Sequence, residues 1–463
     1  MARIHISETP TQIGKSVELA GWVDNRRDHG KLIFLDLRDE SGMVQMVVPG
    51  QNTELFAVAD KLRSEWVILI EGLVKERPKG MQNANIPTGT VEIEVTKVEI
   101  LSSAETPPID IAGDGYEIGE EVRLEYRYLD LRRARLQKNL RLRSKLTHAL
   151  REYLTVKDFV EIETPYLTKS TPEGSRDFLV PSRMQPGKFY ALPQSPQQYK
   201  QLLMASGFEK YFQFARAMRD EDLRADRAFE HTQLDMEMAF VGREDVLKLI
   251  EEMMIAVVEK LGFTIKEKPF PRFSYKEALE KFGADKFDLR TPEEKAANVQ
   301  AFAWVLDFPF FEATEGGWTF SHNPFSAAMP ESHKDLMAKT NIENIVAAQY
   351  DLVLNGFEAG GGSVREHRPE VLKAALEIMG FAPEKIESEY GHMMKAFSHG
   401  VPPHGGLAVG LDRLVMCLLG ETAIREIQAF PMTAGGKTAV MDAPSEVTDA
   451  QLKEVGLELR KKK

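Results

Sequence analysis

Three stretches of this chain concentrate side chains that could do chemistry together. The first is Arg216–Arg227 (RAMRDEDLRADR), with four arginines and four acids in twelve residues. Its signs alternate too closely for a simple anion patch. It runs into His231–Phe240, where Leu234, Met236, Met238 and Phe240 share one strand face and Gln233, Asp235 and Glu237 the other. An ordinary half-buried strand would look the same. In the second stretch, Asp351 and Glu358 flank an extended run, followed by Gly360-Gly361-Gly362 and then Arg365. Two hard carboxylates at that spacing suit Mg2+ shared with phosphates, and the glycines let a backbone pass close to another group. The third is Gly405–Arg413, glycine-rich and then helical, which puts Arg413 near a helix N-terminus, where anions are favoured. Each cluster alone is weak, but the three in this order make a strong signal.

Other chemistries lose ground. Gly14-Lys15-Ser16 and Gly436-Lys437-Thr438 look like the end of a phosphate-binding loop, but Thr9 and Pro431 stand where its first glycine is required. No HExxH, no GxSxG and no GxGxxG after a strand is present, and the ten histidines are scattered. The chain carries 71 acidic and 59 basic residues, a net charge of −12, so a polyanion partner must meet a local basic surface. One cysteine, Cys417, allows no internal disulfide and predicts a reducing compartment. No apolar run reaches membrane-spanning length, and the start lacks a signal-peptide stretch, so a cytoplasmic location and no membrane are expected.

The elements that must position these residues fall into two groups. With 463 residues, two or three domains are expected. Short β-rich runs at 17–23, 32–37, 44–48, 66–71 and 91–100, with turn residues between, predict about five strands in residues 1–103. The five-stranded OB barrel leads among the small β-domains that fit. Residues 104–120, with two prolines and three glycines, predict a linker or hinge. Residues 121–463 then alternate strands and helices irregularly, which predicts an α+β domain on an antiparallel sheet. Within it Arg123–Lys157 is helical in pattern, with apolar Leu136, Leu140, Leu142, Leu146, Leu150 and Leu154. Most of its charges (Arg132, Arg133, Arg135, Lys138, Arg141, Arg143, Lys145) are expected on a solvated face, and Lys461–Lys463 as a frayed tail.

These residues together resemble a class II aminoacyl-tRNA synthetase, and among those the bacterial-type aspartyl-tRNA synthetases. Arg123–Pro165 is similar to the first class II motif, Arg219–Phe240 to the second and Gly405–Leu419 to the third. Gln194-Ser195-Pro196-Gln197 with Lys200, and Thr171-Pro172-Glu173-Gly174, match family-specific elements. The resemblance implies an all-β N-terminal OB barrel that binds the anticodon, plus a class II catalytic domain on an antiparallel sheet, in a homodimer. It implies activation of L-aspartate by ATP with Mg2+, then transfer to the aspartate tRNA. The attacking carboxylate is already ionised, so positioning and charge neutralisation carry catalysis, with no side-chain base.

Role by role, the resemblance puts Arg219 on the α-phosphate and the substrate, Arg413 on the γ-phosphate, and Asp351 and Glu358 on Mg2+. Arg219, Glu358 and Arg413 would be the catalytic set. Asp220, Glu221 (reading adenine), His231, Gly410, Leu411 and Asp412 complete the ATP site. Lys200 and Arg365 would hold the aspartate side chain, which discriminates against the uncharged asparagine. Ser195, Gln197 and Asp235 would receive the α-ammonium, with Glu173 on a closing loop and His322 contacting substrate. In the barrel, Phe34 would stack on an anticodon base, and Arg26, Arg27 and Gln45 fall on matching positions, the aromatic-plus-cation chemistry of unstacked bases.

The sequence also departs from the family pattern. His231 stands in place of a stacking phenylalanine, and Ala228 and Asn323 replace a glutamine and a histidine. The domain usually inserted between the second and third motifs is reduced to about Leu289–Phe302, outside the catalytic set, so activity should survive its loss. His29, in Arg27-Asp28-His29-Gly30, falls where a histidine accompanies charging of the asparagine tRNA as well; a solvated loop histidine is the other reading. An asparaginyl or lysyl synthetase is disfavoured by Lys200, Asp235 and Arg365. A non-catalytic RNA-binding relative is disfavoured because Arg219, Glu358 and Arg413 are all present.

Overall fold

The computed structural model describes residues 2–170 and 174–460, so Glu173 and the Lys461–Lys463 tail lie outside the described residues. The chain divides into two compact units, Met1–Ala112 and Gly113–Lys463.

In the first unit, β1 (Ser16–Asp28), β2 (Leu32–Asp39), β3 (Gly42–Pro49), β4 (Val67–Glu76) and β5 (Val91–Ser102) close a barrel in the order β1-β2-β3-β5-β4. Alternation builds it: Ile33, Leu35 and Leu37 of β2, and Val44, Met46 and Val48 of β3, all point inward and are fully buried. The pairing of β1 with β2 slips between Val23 and Asn25, so Arg27 comes to lie opposite Phe34. Helix Thr53–Lys61, capped by Asn52, connects β3 and β4 and was not evident in the strand pattern.

The second unit is built on an eight-stranded sheet in the order β11-β12-β15-β16-β17-β10-β9-β6. Its members are β6 (Val160–Glu161), β9 (Lys210–Met218), β10 (Glu230–Ala239), β11 (Arg272–Ser274), β12 (Phe302–Leu306), β15 (Gln349–Leu354), β16 (Phe357–Val364) and β17 (His404–Gly410). Two-stranded ribbons β7 (Leu179–Pro181) with β8 (Phe189–Ala191), and β13 (Phe311–Thr314) with β14 (Gly317–Phe320), lie outside it. The central pairs from β12 to β9 are antiparallel, and the two outermost are parallel. Helix Arg243–Lys260 covers one face with Val246, Leu247, Ile250, Met253, Met254, Val257 and Val258, against Leu234, Met236 and Met238 of β10. Each such side chain contributes about 1.5–3 kcal/mol on leaving water.

Two expectations are corrected here. The stretch 123–157 is not one helix: Glu120–Glu125 and Arg127–Asp130 precede a long helix, Ala134–Val156. Nor are most of its charges solvated, since only Lys138, Arg141 and Lys145 of the seven are exposed. Fully buried Asp130 accepts from Arg123 (3.1 Å), Arg127 (2.7 Å) and Arg133 (2.7 Å). Glu426, some three hundred residues away in sequence, accepts from Arg123 (2.8 Å) and Arg135 (2.7 Å). Burial works against both carboxylates' charges, but the arginines outweigh it and hold them below their usual range.

Candidate active site

Strand β10 is buried on both faces. Its apolar face meets the helix, and its polar face supplies Gln233 and Asp235 to the floor of a cavity of about 440 Å³. Helix Gln197–Ala205 adds Gln197 and Lys200, β15 adds Gln349 and Asp351, β16 adds Glu358–Gly362, and the start of helix Leu411–Leu419 adds Asp412 and Arg413. Arg219, Glu221, His231, Ser195, His322, Arg365 and Gly410 complete the expected residues at this cavity. Asp220 and Leu411 are not brought to it. Asp220 faces Arg176 at 3.5 Å, and Leu411 is packed in the core at the helix start.

The deepest part is a quartet of buried charges. Lys200 Nζ lies 3.1 Å from Asp235 Oδ2 and 3.3 Å from Glu237 Oε2, and Arg365 Nε lies 3.0 Å from Glu237 Oε1. All four are at most 2% exposed. Burial raises Asp235 against the pull of Lys200, whereas Glu237, between two cations, is held below the usual range despite its burial. Asp235, which lines the cavity, has an oxygen, Oδ1, that is buried without a hydrogen-bond partner. Glu237, one strand period beyond Asp235, lies beneath the lining. Its face was legible from the alternation but its task was not.

Two further supports were missed. Gln197 Nε2 donates to Gln201 Oε1 (3.1 Å), and Gln201 Nε2 lies 3.1 Å from His404 Nε2. His404 Nδ1 lies 2.8 Å from Pro402 O, so the imidazole donates there and accepts from Gln201. Burial lowers His404 and keeps it neutral. No pairing signal in the sequence links Gln201 to a histidine two hundred residues on.

Asp351 and Glu358 do not flank one extended run. They sit on the two arms of a β15–β16 hairpin turned by Asn355 (φ 54°) and Gly356 (φ 94°), a pair of left-handed residues that fits a two-residue turn. A Cβ on Gly361 would lie 2.8 Å from Asp351 Oδ1 and 3.5 Å from Glu358 Oε1, so the two carboxylates converge over the space that glycine leaves. Gly362 does something else: its Cβ would meet Gly406 O at 2.1 Å, so it permits β16 and β17 to pack closely. Asp351 accepts from Gln349 Nε2 at 2.9 Å and faces His322 Nε2 at 3.7 Å. Burial and neighbouring Glu358 push Asp351 upward. No group of three or more His, Cys, Asp or Glu able to hold a metal occurs among the described residues. Two oxygen donors with an open remainder fit Mg2+ that completes its shell with water and phosphate oxygens.

Around the rim, Arg413 donates to Glu358 O (2.7 Å) and pairs with Asp226 (3.3 Å), while Arg219 donates to Gln194 O (3.2 Å). Asp412 is turned to Arg143 and accepts from Thr232 N at 2.8 Å, which ties the helix start to β10. Burial, then Arg219, Arg413 and Arg216, push His231 down to about 3, so its ring is neutral.

On the barrel, Arg27, Phe34 and Gln45 share one outer face. Arg27 pairs with Asp36 at 3.0 Å, Gln45 donates to Glu92 at 3.1 Å, and His29 meets Phe34 edge-on at 5.4 Å. Arg26 is turned away to Asp60 of helix Thr53–Lys61, so it is not brought to that face.

The match to known proteins agrees with this geometry. Residues 119–434 match the family model described as tRNA synthetases class II (D, K and N), and residues 17–101 match the OB-fold nucleic acid binding domain. The chain belongs to the class II tRNA synthetases. Relatives named Aspartate–tRNA(Asp/Asn) ligase include one from Phenylobacterium zucineum, 40% identical with 96% of each chain covered, and one from Rubrobacter xylanophilus, 38% identical over 97% of this chain and 95% of the relative. The latter alignment spans 574 positions against 463 residues here, so more than a hundred positions of that synthetase have no counterpart in this one. Among solved structures, the asparaginyl-tRNA synthetase of Pyrococcus horikoshii complexed with asparaginyl-adenylate superposes with a TM-score of 0.76 at 27% identity, covering 94% of this chain and 98% of that one. An aspartyl-tRNA synthetase from Entamoeba histolytica, at 24% identity and a TM-score of 0.74 over 93% and 91% of the two chains, shares the fold. No helix of the described residues is long and apolar enough to cross a membrane.

Proposed function

We propose that this synthetase is an aspartate–tRNA ligase that activates L-aspartate with ATP and Mg2+, then charges tRNA(Asp) and also tRNA(Asn). The observation that carries the reading is the pair of buried cations, Lys200 and Arg365, at the base of the cavity. A substrate with a side-chain carboxylate gains two charge-assisted contacts there, whereas an amide offers no charge to the two cations and a cationic side chain opposes them. The unpartnered Oδ1 of Asp235, with Ser195 and Gln197, then receives the α-ammonium.

Arg219 and Arg413 neutralise the phosphates of ATP, Glu221 reads the adenine, and neutral His231 stacks beside it. Asp351 and Glu358 hold the Mg2+, which neutralises phosphate charge when bound. The α-carboxylate needs no base, so these residues act by alignment and by offsetting the charge that builds on the departing pyrophosphate. Phe34, Arg27, Gln45 and His29 take the anticodon. The enzyme works as a homodimer in the cytoplasm.

Aminoacylation with radiolabelled aspartate on separate transcripts of the two tRNAs tests the reading. Charging of both is expected. Charging of tRNA(Asp) alone would reduce His29 to a loop residue, and charging of neither would overturn the ligase reading.

A further inference from the structure

Lys286 is not among the cavity-lining residues but reaches one of them. It lies between helices Tyr275–Phe282 and Pro292–Ala296, in a segment fixed immediately after it. Phe287 stacks on Phe282 with ring centroids 4.0 Å apart, inside a cluster with Ala303, Val305 and Phe308. Asp288 is held by Arg290 (2.9 Å) and Lys295 (3.2 Å). The base of the Lys286 side chain is thereby aimed, while its four-carbon stem keeps its freedom.

The ammonium of Lys286 lies 3.0 Å from Glu358 Oε2, with its side chain 40% exposed. Glu358 is therefore approached from two sides: Lys286 at the carboxylate and Arg413 at the backbone carbonyl. A divalent cation on that carboxylate competes with the ammonium for the same oxygen. Once displaced, Lys286 has no second ion pair among the described residues, with Asp285 and Asp351 favouring its charge only from farther off. An incoming polyanion is the partner that restores its balance.

We propose that Lys286 is a polyphosphate-binding residue. It pairs with the cavity-lining Glu358, gives up that carboxylate when a magnesium–nucleoside triphosphate enters, and then reaches in to contact the terminal phosphates. The proposal rests on the nucleotide-binding reading above and adds one residue to it. Lysine suits the task because it meets phosphate as a compact point charge with no fixed plane.

Calorimetric titration of ATP and of AMP into the full chain, in excess Mg2+, tests it with Lys286→Met and Lys286→Arg. Lys286→Met should bind ATP about tenfold more weakly, the loss of one charge-assisted hydrogen bond, while AMP affinity stays unchanged. Lys286→Arg should recover most of the loss. The Mg2+ concentration at half-maximal ATP binding should also fall in Lys286→Met, because Glu358 is no longer occupied. A fall in Mg2+ requirement with unchanged ATP affinity would make Lys286 a mere partner of Glu358 and overturn the proposal. Equal loss of ATP and AMP binding would also overturn it, by locating the damage in the fold. If the parent chain binds neither nucleotide, the nucleotide reading itself fails.

Discussion

Glu237 never meets the cavity, yet it stands between the two cations that would select the substrate. Glu237→Gln leaves Lys200 and Arg365 buried with one anion between them. That costs roughly 3 kcal/mol of unfolding free energy, measurable by urea titration, and should raise KM for aspartate more than it lowers kcat. Arg365→Leu removes a contact instead of its support, and should abolish aspartate-dependent pyrophosphate exchange while leaving tRNA binding nearly intact; normal exchange would refute the assignment. His231 gives a pH test. An imidazole held near 3 when folded, and near 6.5 when unfolded, takes up a proton on unfolding at any pH between those values, so stability falls as pH drops through that window. His231→Phe should lessen the loss between pH 7 and pH 5 by on the order of 1 kcal/mol, read from unfolding midpoints. At this scale the sequence singled out Arg219 and Lys200, far apart along the chain, and the fold brings both to one cavity. The sequence was silent where a residue works through a partner far along the chain, as with Gln201 and His404, or Lys286 and Glu358.

The β15–β16 hairpin shows what patterns along a single element miss. Period-two alternation placed Asp235 and Glu237 correctly because both lie on one strand. It failed for Asp351 and Glu358, whose convergence depends on a turn at Asn355-Gly356 and on the register Asp351 to Gly361. The glycines likewise divide by face. Gly361→Ala should leave thermal unfolding almost unchanged, since the atoms it meets are carboxylate ends, but should raise the Mg2+ needed for ATP binding several-fold by parting the two acids. Gly362→Ala drives a methyl into the carbonyl of Gly406 and should cost about 3 kcal/mol with no selective effect on Mg2+. The arginine-rich stretch failed for the opposite reason. Charge density predicts solvent, whereas Asp130 inside the stretch and the distant Glu421 and Glu426 counter Arg123 and Arg135 in the interior.

At the level of the whole molecule, the barrel is a separate compact unit with its own core. Expressed alone, residues 1–112 should unfold cooperatively. Phe34→Ala on its outer face should leave that transition within about 2 °C while weakening tRNA binding by the ~1–3 kcal/mol of one stacked base, measured by filter binding. The catalytic unit has the contrary character. Its opening helices are locked by Glu421 and Glu426 through Arg123, Arg135 and Asn139. On the ribosome, at ~5–20 residues per second, those acids emerge roughly 15–60 s after the barrel is complete. For that interval Arg135 lacks both of its acids and Arg123 keeps only Asp130, so a nascent catalytic unit cannot consolidate fully from its beginning. It must wait for nearly its last elements, and a chain stopped at Leu419 should yield a folded barrel trailing an unfolded synthetase.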